Sequence, residues 1–190
     1  MSRTLFSSTL RRGLSAAAAP RMTSRAAFSA TARAADQILP VRVHGEGSGT
    51  QQSLSVPDKA YTFSSDTYTA LGGGDSAPSP VVYSLASLGS CNQVTGSIVG
   101  RDHGVRLGRW KVDVEGALPT AVLVQGAPEG NPNWESVVLK VAVQTDIDGG
   151  SDSPKFQHFV SEVERRCPIT ALFRLSGVKL TSEWVNEPLP

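Results

Sequence analysis

The sequence predicts an α+β domain in which an antiparallel sheet packs on long central helices, and three observations carry that expectation. Between Pro80 and about Arg101, apolar or small groups recur at Leu85, Leu88, Cys91, Val94 or Thr95, and Ile98, the i, i+3, i+4 spacing of a helix face. The segments on either side alternate with period two, as strands do. The order is strands, long helix, strands, helix, strand, which is an α+β arrangement rather than a series of βαβ units. At 190 residues the chain holds one such domain, residues 36–190, and an extension.

The extension is residues 1–35. It carries six arginines (Arg3, Arg11, Arg12, Arg21, Arg25, Arg33), many Ser, Thr and Ala, and no acidic residue before Asp36. On a helix, Leu5, Phe6, Leu10 and Leu14 form an apolar stripe opposite Arg3, Arg11 and Arg12. That composition is expected of a mitochondrial transit peptide, cleaved between Arg25 and Asp36 and delivering the domain to the matrix. Ala16 to Ala19 is too short and too weakly apolar for the core of a secretory signal. The full chain has 18 basic and 17 acidic groups; without the six leader arginines, residues 36–190 keep 12 against 17, a net charge of −5. A mildly acidic domain argues against a nucleic-acid partner. No apolar run approaches the roughly 18 residues that span a bilayer, so no membrane partner is expected.

Along the domain, Ile38, Val41 and Val43, then Leu54 and Val56, then Tyr61 and Phe63 read as short strands, with Gly45-Glu46-Gly47-Ser48-Gly49 as a hairpin turn. A phosphate loop is excluded there, because no Lys-Ser/Thr follows and no helix begins. Gly72 to Pro78 is a flexible approach to the long helix, which Ser79 caps and Pro80 opens. Val81, Val82, Ala86 and Val99 widen its stripe, so burial on most sides is expected. Arg109 to Glu115 reads as a strand that Val122 to Val124 continues. Ala127 to Asn133 is a loop, and Val137 to Ile147 is the strongest strand, with Val137, Leu139, Val141 and Val143 on one face. Asp146 to Asp152 has half the pattern of a calcium loop but lacks the closing Glu, so it reads as a solvated connection. Ser153-Pro154 opens a helix with Phe156, Phe159, Val160 and Val163 as its core stripe, ending near Arg166. Pro168 opens another over Ile169 to Leu175, and Val178 to Trp184 closes the chain as a strand. Two helices with wide apolar surfaces are hard to cover in one small domain, so a homodimer is expected.

Chemistry concentrates in the two cysteines, Cys91 and Cys167. The thiolate is the nucleophile, so a reactive cysteine needs surroundings that lower its pKa. Cys167 falls at the N-cap of the helix opened by Pro168, where free amide N–H groups and the helix dipole favour negative charge, and Arg165 and Arg166 stand beside it. Cys91 lies inside a helix and needs an outside partner. A pair of simply buried thiols is the alternative, and spacing along the chain leaves open whether the two meet. In a reducing matrix a permanent structural bridge is disfavoured. His44, His103 and His158 are scattered, so a Cys–His hydrolase would need the fold to bring one to Cys91. A zinc site of two Cys and two His lacks a close ligand pair, and no metal or cofactor is expected. Trp110, Trp134 and Trp184 read as core or interface residues.

Two stretches resemble a known family. Gly73-Gly74-Asp75-Ser76-Ala77-Pro78-Ser79-Pro80 leading into Leu85-Ala86-Ser87-Leu88-Gly89-Ser90-Cys91 is similar to the first motif of the OsmC/Ohr family of osmotically induced and organic hydroperoxide resistance proteins. Glu164-Arg165-Arg166-Cys167-Pro168-Ile169 is similar to its second, and the likeness in layout covers nearly all of residues 38–187. The resemblance implies an intertwined homodimer with the long helices central, and thiol peroxidase chemistry. By that analogy Cys91 is the peroxidatic thiolate that attacks an organic hydroperoxide, and Cys167 resolves the sulfenic acid to a disulfide. A dithiol reductant, in the family often a lipoyl group on a protein, restores both. The sequence departs from the peroxidases of the family twice. Val81 and Val82 stand where they carry a glutamate, and the turn at 45–49 lacks their arginine, for which Arg42 is the nearest candidate. An Arg–Glu pair lowers a thiol pKa and steadies the leaving oxygen. The alternative is therefore a non-catalytic binding or redox-sensing module that has lost the activating pair.

Overall fold

Helix α1, Pro80–His103, begins and ends as its sequence dictates in the computed structural model, which describes residues 37–190. The leader expected over residues 1–35 lies outside those residues. Ser79 Oγ accepts the Val82 N–H at 3.4 Å, Pro80 fills the first turn, and Gly104, at φ 65°, closes the last. Its buried face is Leu88, Gly89, Asn92, Thr95, Gly96, Val99 and Gly100, whereas Val82, Val94 and Ile98 are exposed. Burial on most sides is therefore not what this chain adopts. The glycines select the inward face because they admit strand side chains against the helix backbone. A Cβ on Gly89 would meet Val112 Cγ1 at 3.1 Å, one on Gly100 would meet Leu107 Cδ1 at 2.7 Å, and one on Gly96 would enter the Trp110 ring.

Those side chains belong to β4, Leu107–Ala117, which pairs antiparallel with β5, Ser136–Thr145. The closing strand β6, Lys179–Pro188, is longer than expected and lies parallel to β5, with Val141 opposite Trp184. The expectation of an antiparallel sheet is thus corrected at β6. Two helices, α3 (Pro154–Arg166) and α4 (Pro168–Leu175), return the chain to the end where β5 began, and a strand entering there must run parallel. Val137, Leu139, Val141 and Val143 face inward from β5, and Phe156, Phe159, Val160 and Val163 from α3, as their spacing predicts. Glu164 of α3 accepts from Trp184 Nε1 at 3.1 Å and from Ser182 Oγ, and pairs with Arg174 at 2.5 Å, which joins α3, α4 and β6.

A second sheet has the order β1 (His44–Ser48), β2 (Gln51–Ser55), β3 (Thr62–Ser65), all antiparallel. Gly45–Gly49, expected as the turn, instead supplies β1. Gly45 and Gly47 lie in the ladder opposite Leu54 and Gln52, and only Gly49 takes a positive φ, 61°, in the two-residue turn before Gln51. Ile38 to Val43, expected as a strand, pairs with nothing described, and Ile38, Leu39, Val41 and Val43 are exposed. Val122–Val124 is likewise not strand but part of a short helix α2, Ala121–Gln125. Pro119 has no N–H to extend the β4 ladder, so the chain turns away. Tyr83 of α1 holds the second sheet, donating to the Ser64 carbonyl at 2.6 Å with its ring edge-on to Phe63.

Asp66, fully buried after β3, organises the approach to α1 and went unnoticed in the sequence. Its carboxylate accepts from Ser76 N and Oγ, Thr67 N, Gly74 N, Thr50 Oγ1 and Gln51 Nε2, at 2.7–3.5 Å. The Ser76 N–H, with Thr67 and the hydroxyls, holds its pKa well below the usual carboxylate range against the opposing effect of burial. A depressed folded pKa stabilises the fold above the unfolded value, near 4, and that stability is lost as pH falls below it. Thermal unfolding of wild type should therefore weaken below about pH 4, while Asp66→Asn is weaker at neutral pH and shows less of this acid decline. Parallel pH profiles for the two proteins would remove this role.

Candidate functional site

The two thiols lie far apart in sequence, and α1 and α4 bring them together. Cys91 is half-buried on α1, and Cys167 is fully buried at the junction of α3 and α4. Cys167 is the N-cap of α4: its Sγ accepts the Thr170 N–H at 3.4 Å, and its own N–H closes α3 on the Val163 carbonyl at 3.0 Å. Beside them α1 meets α4, with Asn92 Nδ2 3.0 Å from Thr170 Oγ1, and each thiol is among the groups that act on the other's pKa. Burial, then the neighbouring Cys167, push the Cys91 thiol up, against the Ile169 N–H and the Thr95 hydroxyl. Burial alone would also raise Cys167. The Thr170 hydroxyl, the Thr170 and Ile169 N–H groups and the Cys91 thiol outweigh it and bring Cys167 below its ordinary value.

Polar residues surround the pair, and two of them, Asn92 and Thr170, carry no weight in the sequence reading. Asn92, next to Cys91 and fully buried, donates from Nδ2 to the Leu88 carbonyl at 2.9 Å and to Thr170 Oγ1 at 3.0 Å. Thr95 and Thr170 are buried beside the sulfurs. The signal was present: Leu88, Asn92, Thr95 and Val99 share one helical face, and an asparagine in an apolar stripe is costly unless paired. Among the described residues, no fully buried side-chain nitrogen or oxygen lacks a partner.

The cations proposed from sequence are not at the thiols. Arg42 is exposed and precedes β1, and the hairpin of β1 and β2 contains no arginine. Arg165 and Arg166 turn to Glu162 at 2.8 and 3.1 Å, and Arg166 also to Asp102 at 2.7 Å. Arg165, with Arg166 and against burial, holds Glu162 down to about 2, and Arg166 first among its neighbours lowers Asp102. The charge beside Cys167 in sequence is thus spent on carboxylates, and the field at Cys167 comes from neutral donors at the start of α4. His103 Nε2 accepts from Arg166 at 3.3 Å and its ring lies 5.4 Å, centre to centre, from His158, while His44 meets Glu46 at 3.1 Å. None is among the groups acting most on Cys91. Asp146 of the half calcium loop binds Arg106 through its N–H and Nε at 2.9 and 3.0 Å. Trp110 and Trp184 meet edge-to-face at 6.0 Å in the core, and Trp134 packs on the second apolar cluster.

An open cavity of about 600 Å³ adjoins the start of α1, lined by Val81, Ser84, Leu118, Val122, Leu123 and Trp134 among others, with no charged side chain. Ser84 precedes Cys91 by seven residues, which is two turns and about 10 Å along the same helix face. Val82 is exposed, and Val81 faces this cavity, so an apolar wall stands where the resemblance would place a glutamate.

A long helix bearing Cys91, a short helix opened by Cys167 and two three-stranded sheets define a small α+β domain with two thiols, and comparison gives the family. The family model described as OsmC-like protein matches residues 72–183, and the chain belongs to that family. An OsmC-like protein from Mycoplasma pneumoniae matches with a TM-score of 0.64 and 12% identity, over 79% of this chain and 99% of its own. An organic hydroperoxide resistance protein OsmC from Legionella pneumophila matches at 0.54 and 17%, over 78% and 98%. The organic hydroperoxide resistance protein OhrB of Bacillus subtilis matches at 0.51 and 16%, over 77% and 98%. At these identities the likeness shows the fold. No curated protein sequence matches the chain significantly.

Proposed function

We propose that the chain is a thiol-dependent reductant of organic hydroperoxides, with Cys91 as attacking sulfur and Cys167 as resolving sulfur. The observation that carries this is the convergence of the two thiol-bearing helix regions, with α1 and α4 joined by the Asn92–Thr170 bond, Cys91 half-buried on α1 and Cys167 held at the start of α4. In the reaction, the Cys91 thiolate forms a bond to the terminal peroxide oxygen as the O–O bond breaks. The product is a sulfenic acid at Cys91, and the departing alkoxide takes a proton to become the alcohol. Cys167 then displaces the sulfenic hydroxyl as water, forming the disulfide. A dithiol such as a lipoyl group returns both thiols by exchange and leaves as its own disulfide. Delivery to the mitochondrial matrix and assembly as a homodimer, which would cover Val94 and Ile98 of α1, belong to this proposal.

The test is direct. One equivalent of an organic hydroperoxide should convert both thiols into one intramolecular disulfide, seen by mass spectrometry, and a dithiol should reverse it through many cycles. Thiols that survive excess hydroperoxide would overturn the proposal. The cavity beside α1 supports an apolar organic group on the substrate. Val122→Glu should therefore raise KM for a bulky apolar hydroperoxide several-fold and leave hydrogen peroxide turnover near wild type. One observation favours a second reading, a non-catalytic binding or redox-sensing module: no cationic side chain is among the groups acting most on Cys91. In that case the disulfide forms once and slowly, without sustained consumption of peroxide.

A further inference from the structure

We infer that Arg166 is a positioning residue for the pairing of the two thiols, strapping the junction of α3 and α4, and Cys167 with it, to the last turn of α1. The inference deepens the thiol-peroxidase reading and rests on it for its catalytic meaning. Each guanidinium nitrogen of Arg166 has its own partner. Nε donates to Glu162, one turn back on α3, at 3.1 Å, Nη1 to Asp102 at 2.7 Å and Nη2 to His103 at 3.3 Å. The planar fork lets one side chain hold three acceptors at once, so its direction is fixed. Glu162 aims it, and Asp102 and His103 receive it at the C-terminal end of α1, where a cation also meets the favourable end of the helix dipole. Among the described residues, no other side chain of α3 is hydrogen-bonded to α1.

Cys167 moves with this strap. It follows Arg166 directly, its N–H closes α3 on the Val163 carbonyl at 3.0 Å, and its Sγ opens α4 by accepting the Thr170 N–H at 3.4 Å. The same junction is tied to α1 at a second point, where Asn92 beside Cys91 donates to Thr170 Oγ1 at 3.0 Å. Asp102 lies about 16 Å further along α1 than Cys91, so the two ties grip α1 at separate levels. One tie alone leaves the junction free to swing about it, whereas two fix both its position and its direction. The buried Asn92–Thr170 bond brings the junction to the level of Cys91, and Arg166 stops it from turning away. Arg165 is the contrast: it pairs only within α3, with Glu162 at 2.8 Å, and stays 65% exposed. A disulfide needs both sulfurs at bonding distance, so restricting the junction raises the effective concentration of one thiol at the other. By reciprocity the disulfide strengthens the strap by the same factor, and a partly exposed ion pair limits that factor to a few-fold.

Equilibration of the full chain with mixtures of reduced and oxidised glutathione, without peroxide, tests this role. Two protein S–H groups become one S–S bond as the glutathione disulfide is reduced to two thiols. Arg166→Met keeps the aliphatic stem and removes the fork, and it should lower the effective concentration of the thiol pair about fivefold, the most that an ion pair of this exposure supplies. Asp102→Ala should lower it in the same direction, Arg166→Lys should recover part of the loss, and Arg165→Met should leave it at the wild-type value. A structural role alone would lower the melting temperatures of the reduced and oxidised proteins equally, whereas a positioning role costs the oxidised protein more. An unmoved equilibrium in folded Arg166→Met, or an equal loss in Arg165→Met, overturns the inference. Should Arg166→Met fail to fold, an unmoved equilibrium in Asp102→Ala overturns it equally. A wild-type chain that forms no disulfide in any mixture would overturn both the inference and the peroxidase reading. A disulfide that shifts with Arg166→Met in a protein without peroxidase activity would sink the functional reading alone.

Discussion

Cys91→Ser should lower hydroperoxide consumption with a dithiol reductant by at least about a thousandfold, since removal of a nucleophile leaves only the residual contribution of the site. Cys167→Ser should behave differently. Its Cys91 sulfur still reaches solvent and is still flanked by Thr95 and the Ile169 N–H, so one round of attack persists. The reaction then stops at the sulfenic acid, which a sulfenic-acid-selective nucleophile such as dimedone traps in stoichiometric amount. Equal activity in the two variants would separate the sulfurs from the chemistry, and a trapped sulfenic acid on Cys167 in Cys91→Ser would reverse their roles.

Gly96→Leu should destabilise the fold by about 3 kcal/mol, the upper part of the range for overpacking a core. For a domain of this size that lowers the melting temperature by roughly 10 °C. The new side chain enters the space of the Trp110 ring, which is itself held edge-on against Trp184 at 6.0 Å, so the ring has little freedom to yield. Leucine favours a helix over glycine by almost 1 kcal/mol, and the clash must exceed that gain. Calorimetry on the two proteins decides it. An unchanged or raised melting temperature would mean that α1 and β4 separate easily there, and that the glycines do not choose the buried face.

The glycines also mark the limit of the sequence reading. Ser79-Pro80, Ser153-Pro154 and Cys167-Pro168 announced three helix starts, because a cap and a proline act within one turn of chain and need no distant partner. The alternation at Val137, Leu139, Val141 and Val143 announced β5 for the same local reason. The face of α1 was not local. Val94 and Ile98 look more apolar than Gly96 or Asn92, yet the strand β4 and the threonine of α4 decide which residues turn inward.

By itself the sequence determined the α+β order, the capped helices and the two cysteines set beside helices, since caps, periodicity and thiol chemistry are properties of neighbouring residues. The parallel entry of β6, the six donors gathered on Asp66 and the neutral network around Cys167 were decided only in three dimensions. Each depends on residues tens of positions apart reaching hydrogen-bond distance, and burial is what makes those meetings energetically decisive.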